Sequence, residues 1–472
     1  MQNEIDFENN SSKKRFFDTK LPKVTFSTTK SYILRFGREK YDCSLEYESL
    51  FWIIDKENLM NKSKFIKKIC DPFDGHNDSS NVYDSSMENA TKSDVRFCMN
   101  FSIVIPTWNR SELVDALLES LYKERNRYEK GETEVLIVDS SQGEEQKSIV
   151  QSCEKYDAIY ISGDDSVRKK RNLGIRSSKF DYILFIDSDV TIESGLLDEY
   201  VEAYKNPYKV KLGGVLGYTE FVGEKTFWWK LLEKTSLVNS FSFARNYPFH
   251  SWTIGNNVSF KKSVLEEIGM FEENFPFKLG GDDLDMTYRV TKAGYMIGSA
   301  SNAVTYHSRK TWNNYKAVHD RAKRWGTMEN YIVKRHPELY KRVIPKNYVF
   351  ESIGVIWMAI LSLCLKSYLP ISISLLWILI NSMVDYGIDM KKHGLCSPVY
   401  YYGAKMIQNQ YEFYRVKQSL KEHSLGALYK GIIFNRFQIK FGMKDDAARI
   451  KKLIIDFFVA AVLLLIVWKM FF

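Results

Sequence analysis

Residues 181–190 constrain this chain more than any other stretch. The apolar run Tyr182-Ile183-Leu184-Phe185-Ile186 stops abruptly at Asp187-Ser188-Asp189. Five consecutive apolar residues of β-branched and aromatic type, too few for a helix, read as a strand covered on both faces. Strands of that kind belong to mainly parallel sheets, which place ligand sites just beyond their carboxyl ends. The two carboxylates of the triplet therefore fall where a divalent cation and a phosphate would be held. Hard oxygen ligands suit Mg²⁺ or Mn²⁺, and substrate phosphate oxygens would complete the shell. Taken alone, the triplet would equally suit a solvated acidic turn, so the surrounding chain must decide.

It decides by repetition. Residues 101–105 form a strand pattern ending at Pro106, and 111–122 a helix pattern with Leu113, Leu117 and Leu121 on one face. A strand at 135–138 then ends in Asp139, followed by a helix at 146–155, a strand at 158–161 and a helix at 166–177 that returns to the run before Asp187. Interleaving of this kind predicts an α/β fold with right-handed crossovers, and function on the loops after the strands. Those loops carry Pro106, Thr107, Asn109 and Arg110, then Asp139, then Asp187, Ser188 and Asp189; the cationic helix start brings Arg168, Arg171 and Asn172 beside them. The set suits a nucleoside diphosphate: Asp139 accepts from a base or ribose, Arg171 neutralises a diphosphate, and the acidic triplet holds the metal. Further on, Asp282-Asp283-Leu284-Asp285 follows two glycines and opens a helical pattern, a place where the helix dipole favours acids whatever their function.

The segments IPTWNR (105–110), IVDSS (137–141), RKKRNLGI (168–175), FIDSDV (185–190), GNNVSFKKS (255–263) and GGDDLDMTYRVTKAGY (280–295) stand in an order and spacing that resembles the family 2 glycosyltransferases, and the segment from Arg324-Trp325-Gly326 to Arg335-His336-Pro337 resembles that of the mycofactocin-type transferases among them. The resemblance implies a GT-A fold, a nucleotide-diphosphate sugar donor with UDP-sugars favoured, and Mn²⁺ or Mg²⁺ as cofactor. It also implies inverting transfer, with Asp283 taking the proton of the acceptor hydroxyl and Asp282 as its neighbour. By the same route Asn257 joins the substrate-binding set, and His307, after a strand pattern at 302–306, joins Asp187 and Asp189 at the metal. Arg321-Ala322-Lys323-Arg324-Trp325 resembles the Gln-x-x-Arg-Trp of processive polysaccharide synthases, with Arg321 in place of the Gln; Arg324 would meet diphosphate and Trp325 an acceptor sugar. Two departures stand out: Asp139-Ser140 where the family usually has two acids, and Asp282-Asp283 where it has Glu-Asp.

Three regions are expected. Residues 1–95 read as a small α+β accessory module with a polar tail, a hairpin about Gly37 and helices at 45–54 and 63–69, resembling winged-helix peptide-recognition modules. Residues 96–345 read as the catalytic domain, and 346–472 as a helical membrane region with spans at 349–365, 369–388 and 453–468. Segments 400–420 and 425–441 mix aromatic and cationic residues as interfacial helices do. Formal net charge is +9, and its excess lies beside these apolar segments, which points to a membrane surface and not to nucleic acid. The basic stretch 391–452 predicts a multi-pass protein of the cell membrane with its catalytic domain in the cytoplasm. Six cysteines without Cys-x-x-Cys spacing fit a reducing compartment, and the polar first twenty residues predict no signal peptide. The expected acceptor is a lipid-linked or cell-surface glycan, with a processive synthase, a peptide or peptide-derived acceptor, and a non-catalytic nucleotide-sugar sensor as alternatives.

Overall fold

In the computed structural model the chain divides into two units, residues 1–95 and 96–472. The structure describes residues 98–205, 210–277, 280–342, 347–394, 396–424 and 430–432, four N-terminal strands, and scattered positions between 454 and 469. In the first unit β1 (Glu4–Ile5), β2 (Lys23–Phe26), β3 (Tyr32–Phe36) and β4 (Glu39–Cys43) pair antiparallel in that order. The strands expected about Gly37 are β3 and β4, with Phe36 opposite Glu39. The helices expected at 45–54 and 63–69 lie outside the described residues.

The second unit is built on a nine-stranded mixed sheet. Its first half alternates β5 (Phe101–Thr107), α1 (Ser111–Arg127), β6 (Thr133–Asp139), α2 (Gly143–Lys155), β7 (Ile159–Ser162), α3 (Val167–Ser177) and β8 (Tyr182–Ile186). β7, β6, β5 and β8 lie side by side, all parallel. The chain thus steps outward from β5 to β7 and returns on the other side of β5, so strand order reverses between β5 and β8. Open α/β sheets bind ligands in the crevice at such a reversal. Beyond β8 follow β9 (Val190–Ile192), α4 (Leu196–Tyr204), β10 (Leu212–Val222), β11 (Phe249–His250), β12 (Asn257–Lys261), α5 (Asp282–Lys292) and β13 (Met296–Ser308). β12 runs antiparallel to β8 and β10, while β10 and β13 are parallel.

β8 explains itself by its pleat. Leu184 and Ile186 enter the core that α1, α2 and α4 cover, whereas Ile183 and Phe185 enter the opposite core, shared with α3 and α5. With both faces buried no polar residue is tolerated until the strand ends, and the acids begin there.

After β13 come α6 (Tyr315–Arg335), α7 (Asn347–Cys364), α8 (Leu369–His393) and α9 (Pro398–Lys421). Here the sequence expectation needs correction. Among the described residues a single helix, spanning Leu369–Lys391, is long and apolar enough to cross a membrane; the apolar part of α7, Glu351–Cys364, is too short. Multi-pass topology is therefore not supported, and the third expected span at 453–468 lies largely outside the described residues, as does the segment 425–441. Nor is α9 an isolated interfacial helix, since it packs along α6 with Ala404, Ile407, Arg415 and Ser419 buried. Gly326 permits the crossing: a Cβ there would stand 2.1 Å from the Tyr411 carbonyl oxygen. The Asn330 amide locks it by donating to the Arg415 carbonyl at 2.7 Å.

Candidate active site

A cavity of about 1080 Å³ opens at the carboxyl ends of β5 and β8. Its first wall is the acidic triplet. Val190 on β9 pairs with His307 on β13, which runs through His307 to Ser308 and does not end at Tyr306 as expected. That register sets His307 Nε2 3.4 Å from Asp189 Oδ1. His307 Nδ1 lies 3.1 Å from the Ser308 carbonyl, which only accepts, so Nδ1 donates there and Nε2 is the ring nitrogen turned to Asp189. Ligand atoms of Asp187, Asp189 and His307 all fall within 4.8 Å of one another. Two carboxylates and an oriented imidazole fit Mn²⁺ well and Mg²⁺ less well. Arg110 Nη1 sits 3.0 Å from Asp189 Oδ2, and the Thr311 hydroxyl donates to the same oxygen at 3.1 Å. Burial works to raise the Asp189 carboxyl, but His307, Arg110 and Thr311 outweigh it and hold it below the usual range. Asp187 goes the other way, raised by burial and by Asp189 against the pull of Arg171.

The opposite wall is the acidic helix start. Gly281, with φ of 82°, takes the left-handed turn into α5, and a Cβ there would meet Met328 at 2.5 Å. The turn separates the two neighbouring acids. Asp282 points inward to Arg171, with Nη1 to Oδ2 at 2.9 Å, and Arg171 Nη2 reaches Asp187 Oδ1 at 3.2 Å. One buried guanidinium therefore joins the two acidic walls, lying over the Phe271 ring at 5.3 Å. Asp283 faces the cavity instead. Its Oδ2 accepts from the Gly255 amide at 3.3 Å and its Oδ1 from the Leu284 amide at 2.9 Å. Enclosure by protein, then the adjacent Asp282 charge, push its carboxyl up to about 7 against the pull of Arg171. Asp285 turns away into a structural network with His336 at 2.8 Å and Arg289 at 3.0 Å.

The third wall is helical. On α6, Arg321, Arg324, Trp325, Met328 and Glu329 line the cavity at spacings of 3, 4, 7 and 8, one helical face. Arg321 stacks on Trp312 at 3.7 Å; burial and the nearby Arg324 lower its guanidinium. Arg324 Nε is buried and finds no hydrogen-bond partner among the described residues, a costly condition that an anionic ligand would relieve. From α9 come Gln408, Tyr411, Glu412 and Arg415.

Of the residues singled out from the sequence, Pro106, Thr107, Arg110, Arg171, Asp187, Ser188, Asp189, Asp282, Asp283, His307, Arg324 and Trp325 line this cavity. Five stand outside its lining. Asn257 is fully buried between strands, donating to the Tyr218 and Ala303 carbonyls and accepting from Tyr200. Asn172 ties α3 to Phe271 and Glu273. Arg168 backs up Asp282 at 4.0 Å. Asp139 spends its carboxylate on Ser141 and the Tyr160 hydroxyl. Asn109 holds the turn after β5 at φ 49°, its amide donating to Ser141 Oγ. Sequence reasoning missed Thr311, the Gly255 amide and the α9 face. The last had a readable signal, polar residues at spacings of 3, 4 and 7, which the aromatic and cationic content of the segment masked.

Residues 102–269 match the family model described as "Glycosyl transferase family 2". Among curated proteins the chain is similar to a chondroitin synthase of Pasteurella multocida (24% identical over 282 residues, 52% of this chain and 28% of the relative). It is similar also to a chondroitin synthase of Escherichia coli (27% over 241 residues, 44% and 34%). The chain thus spans about a third of the length of these relatives. A "GalNAc(5)-diNAcBac-PP-undecaprenol beta-1,3-glucosyltransferase" of Campylobacter jejuni matches at 25% over 181 residues, 36% of this chain and 55% of that one. Among solved structures, a mannosyltransferase of Pyrobaculum calidifontis aligns at 15% identity and a TM-score of 0.43, covering 69% of this chain and 88% of the other.

Proposed function

From the family 2 glycosyltransferase domain that this chain carries, we propose that it moves a sugar from a nucleoside-diphosphate sugar, a UDP-sugar first, onto a saccharide hydroxyl with inversion. One observation carries the reading: a metal-fitted acidic pair and a cavity-facing carboxyl lifted to about 7 share one cavity, with Arg171 joining Asp187 of the pair to Asp282, the immediate neighbour of that carboxyl. Asp187, Asp189 and His307 would hold Mn²⁺ or Mg²⁺, which when bound supplies positive charge to the departing diphosphate. Arg110, 3.0 Å from Asp189, adds a fixed cation on that side, and Arg324 adds another from the α6 wall. Asp283 accepts the proton of the acceptor hydroxyl while that oxygen forms its bond to the anomeric carbon; the bond from that carbon to the diphosphate oxygen breaks on the opposite face, and the diphosphate keeps the electron pair. Asp282 supports this in two ways: its charge raises the proton affinity of Asp283, and its pairing with Arg171 keeps it out of competition for the proton.

The acceptor we favour is a lipid-linked or cell-surface glycan. The Campylobacter relative acts, by its name, on an undecaprenol-linked saccharide. The window of α8 that passes as a span is only 6% buried, an exposed apolar surface that lipid would cover. Processive synthesis is the second reading, favoured by the Arg324-Trp325 face in the cavity and by the synthase relatives. The test is UDP release by the purified full chain from UDP-glucose, UDP-N-acetylglucosamine and UDP-N-acetylgalactosamine with Mn²⁺. Metal-dependent release that disappears in Asp283→Asn supports the reading, and nucleotide binding without turnover of any donor or saccharide overturns it in favour of a sensor.

A further inference from the structure

We infer that the Asn256 amide holds one hydroxyl of the transferred sugar and so selects the donor, an inference that rests on the transferase reading above. The charged groups of the cavity account for the metal, the diphosphate and the proton, which leaves the neutral ring of the donor without an assigned contact. Inverting transfer requires the anomeric carbon between the diphosphate oxygen it leaves and the hydroxyl that attacks it. Two consecutive residues, Gly255 and Asn256, are tied to both sides of that gap. The Gly255 amide donates to Asp283 Oδ2 at 3.3 Å, and the Asn256 carbonyl accepts from the Asp187 amide at 3.2 Å. The side chain at 256 therefore leaves the backbone between the acidic triplet and the Asp283 carboxyl.

That side chain lines the cavity and is only 3% exposed. Its Nδ2 donates to Thr219 Oγ1 at 2.9 Å, and Thr219 Oγ1 stands 3.1 Å from Thr305 Oγ1. Thr219 on β10 and Thr305 on β13 are register partners; two residues on, and so on the same face of the sheet, Phe221 and His307 are partners too. The amide is thus anchored to the face that carries His307 to the metal site. With Nδ2 held, Oδ1 is buried and finds no hydrogen-bond partner among the described residues, a costly condition that a ligand would relieve. The amide carries no charge and does not titrate, so it neither neutralises a diphosphate nor moves a proton. A sugar hydroxyl, which both donates and accepts, suits either end of it. A site built to hydrogen-bond one hydroxyl rejects the donor that lacks it, because its own buried group is then left unpaired.

The experiment uses the full chain with Mn²⁺, whichever of the three UDP-sugars above it turns over, and the 2-, 3-, 4- and 6-deoxy analogues of that donor. Asn256→Ala should lower kcat/KM for the full donor by about ten- to a hundredfold. Its affinity for UDP with Mn²⁺, read by calorimetry, should stay within about twofold of the parent. In the parent one deoxy donor should lose about tenfold or more against the full donor. In Asn256→Ala that same loss should shrink to about twofold or less, with the other three analogues penalised alike in both proteins. Asn256→Ser, which shortens the side chain but keeps it polar, is read in the same way should the alanine variant show no thermal unfolding transition. An active parent whose four deoxy donors lose the same factors with and without Asn256 overturns this inference alone. So does a folded variant that loses UDP and UDP-sugar affinity together, the mark of a metal ligand or of a strut for Asp187. A parent protein that turns over no donor removes the transferase reading and this inference with it.

Discussion

Replacing Asp283 with Asn is the most informative single change, because catalysis and stability should move in opposite directions. The substitution keeps the volume of the side chain while removing its charge and its capacity to take a proton. A carboxyl moved from 3.8 to about 7 by enclosure and by Asp282 binds its proton about 4 kcal/mol more tightly than in the unfolded chain. That figure is a ceiling, since the group faces a cavity open to water, whose screening reduces it. The folded state therefore holds more protons than the unfolded state between the two values. Stability falls as pH rises from about 4 to 7, and the penalty is complete above 7. The Asp283→Asn variant escapes the penalty, so it should unfold at higher temperature than the parent at about pH 8, and the advantage should vanish near pH 4. Activity should fall by about a hundred- to ten-thousand-fold, and the parent's own rate should rise with pH through the neutral range, since only the ionised carboxylate accepts a proton. Thermal unfolding at about pH 4 and 8 in metal-free buffer and initial rates from about pH 5 to 9 check both halves. A variant that is inactive and no more stable at the higher pH would refute the raised carboxyl; a variant that stays active would refute the base.

Further outcomes are expected elsewhere. Asp189→Asn should abolish Mn²⁺-dependent UDP binding, and calorimetric titration that matches the parent would contradict the metal assignment. Asp282→Asn leaves Arg171 with Asp187 alone; a buried cation losing one of two counter-ions should cost about 3 kcal/mol or more of stability, read from urea midpoints. Gly326→Leu puts a side chain where the Tyr411 carbonyl stands, so α9 should lift off α6; proteolysis within residues 398–421 in the variant but not the parent would show it. Membrane fractions should retain the chain through α8, and Leu376→Lys with Leu379→Lys, two exposed apolar positions, should release it.

Much of the fold was legible because β5 to β8 obey the periods their burial demands. Ile183 and Phe185 face one core, Leu184 and Ile186 the other, and the acids begin where both covers end. Asp187 and Asp189 were legible for the same reason, whereas Asp282 and Asp283 came through the resemblance of the segment 280–295 and not through burial. Asn257 was not, because a Gly-Asn-Asn segment gives no hint that one amide points into the cavity loop and the next between strands, where it satisfies two carbonyls. His307 was placed in the right neighbourhood but beyond its strand, since the polar His307 and Ser308 give no strand signal of their own and the pairing with β9 that carries the strand through His307 comes from more than a hundred residues back in the chain. The α9 wall escaped because its partner, α6, lies far back in the sequence, and spacing alone does not say what a polar stripe faces.

That wall has a consequence for how the protein is made. Among the described residues, the last to line the cavity are encoded after the apolar helix α8, so a ribosome releases the whole sheet that carries the acids long before α9 can close the cavity. Until then the groove beside Gly326, which the Tyr411 backbone fills, stands open on α6. The cavity and the apolar helix are therefore not separable in chain order: a chain cut after residue 345 would keep its acids and α6 and lose the α9 face of the third wall.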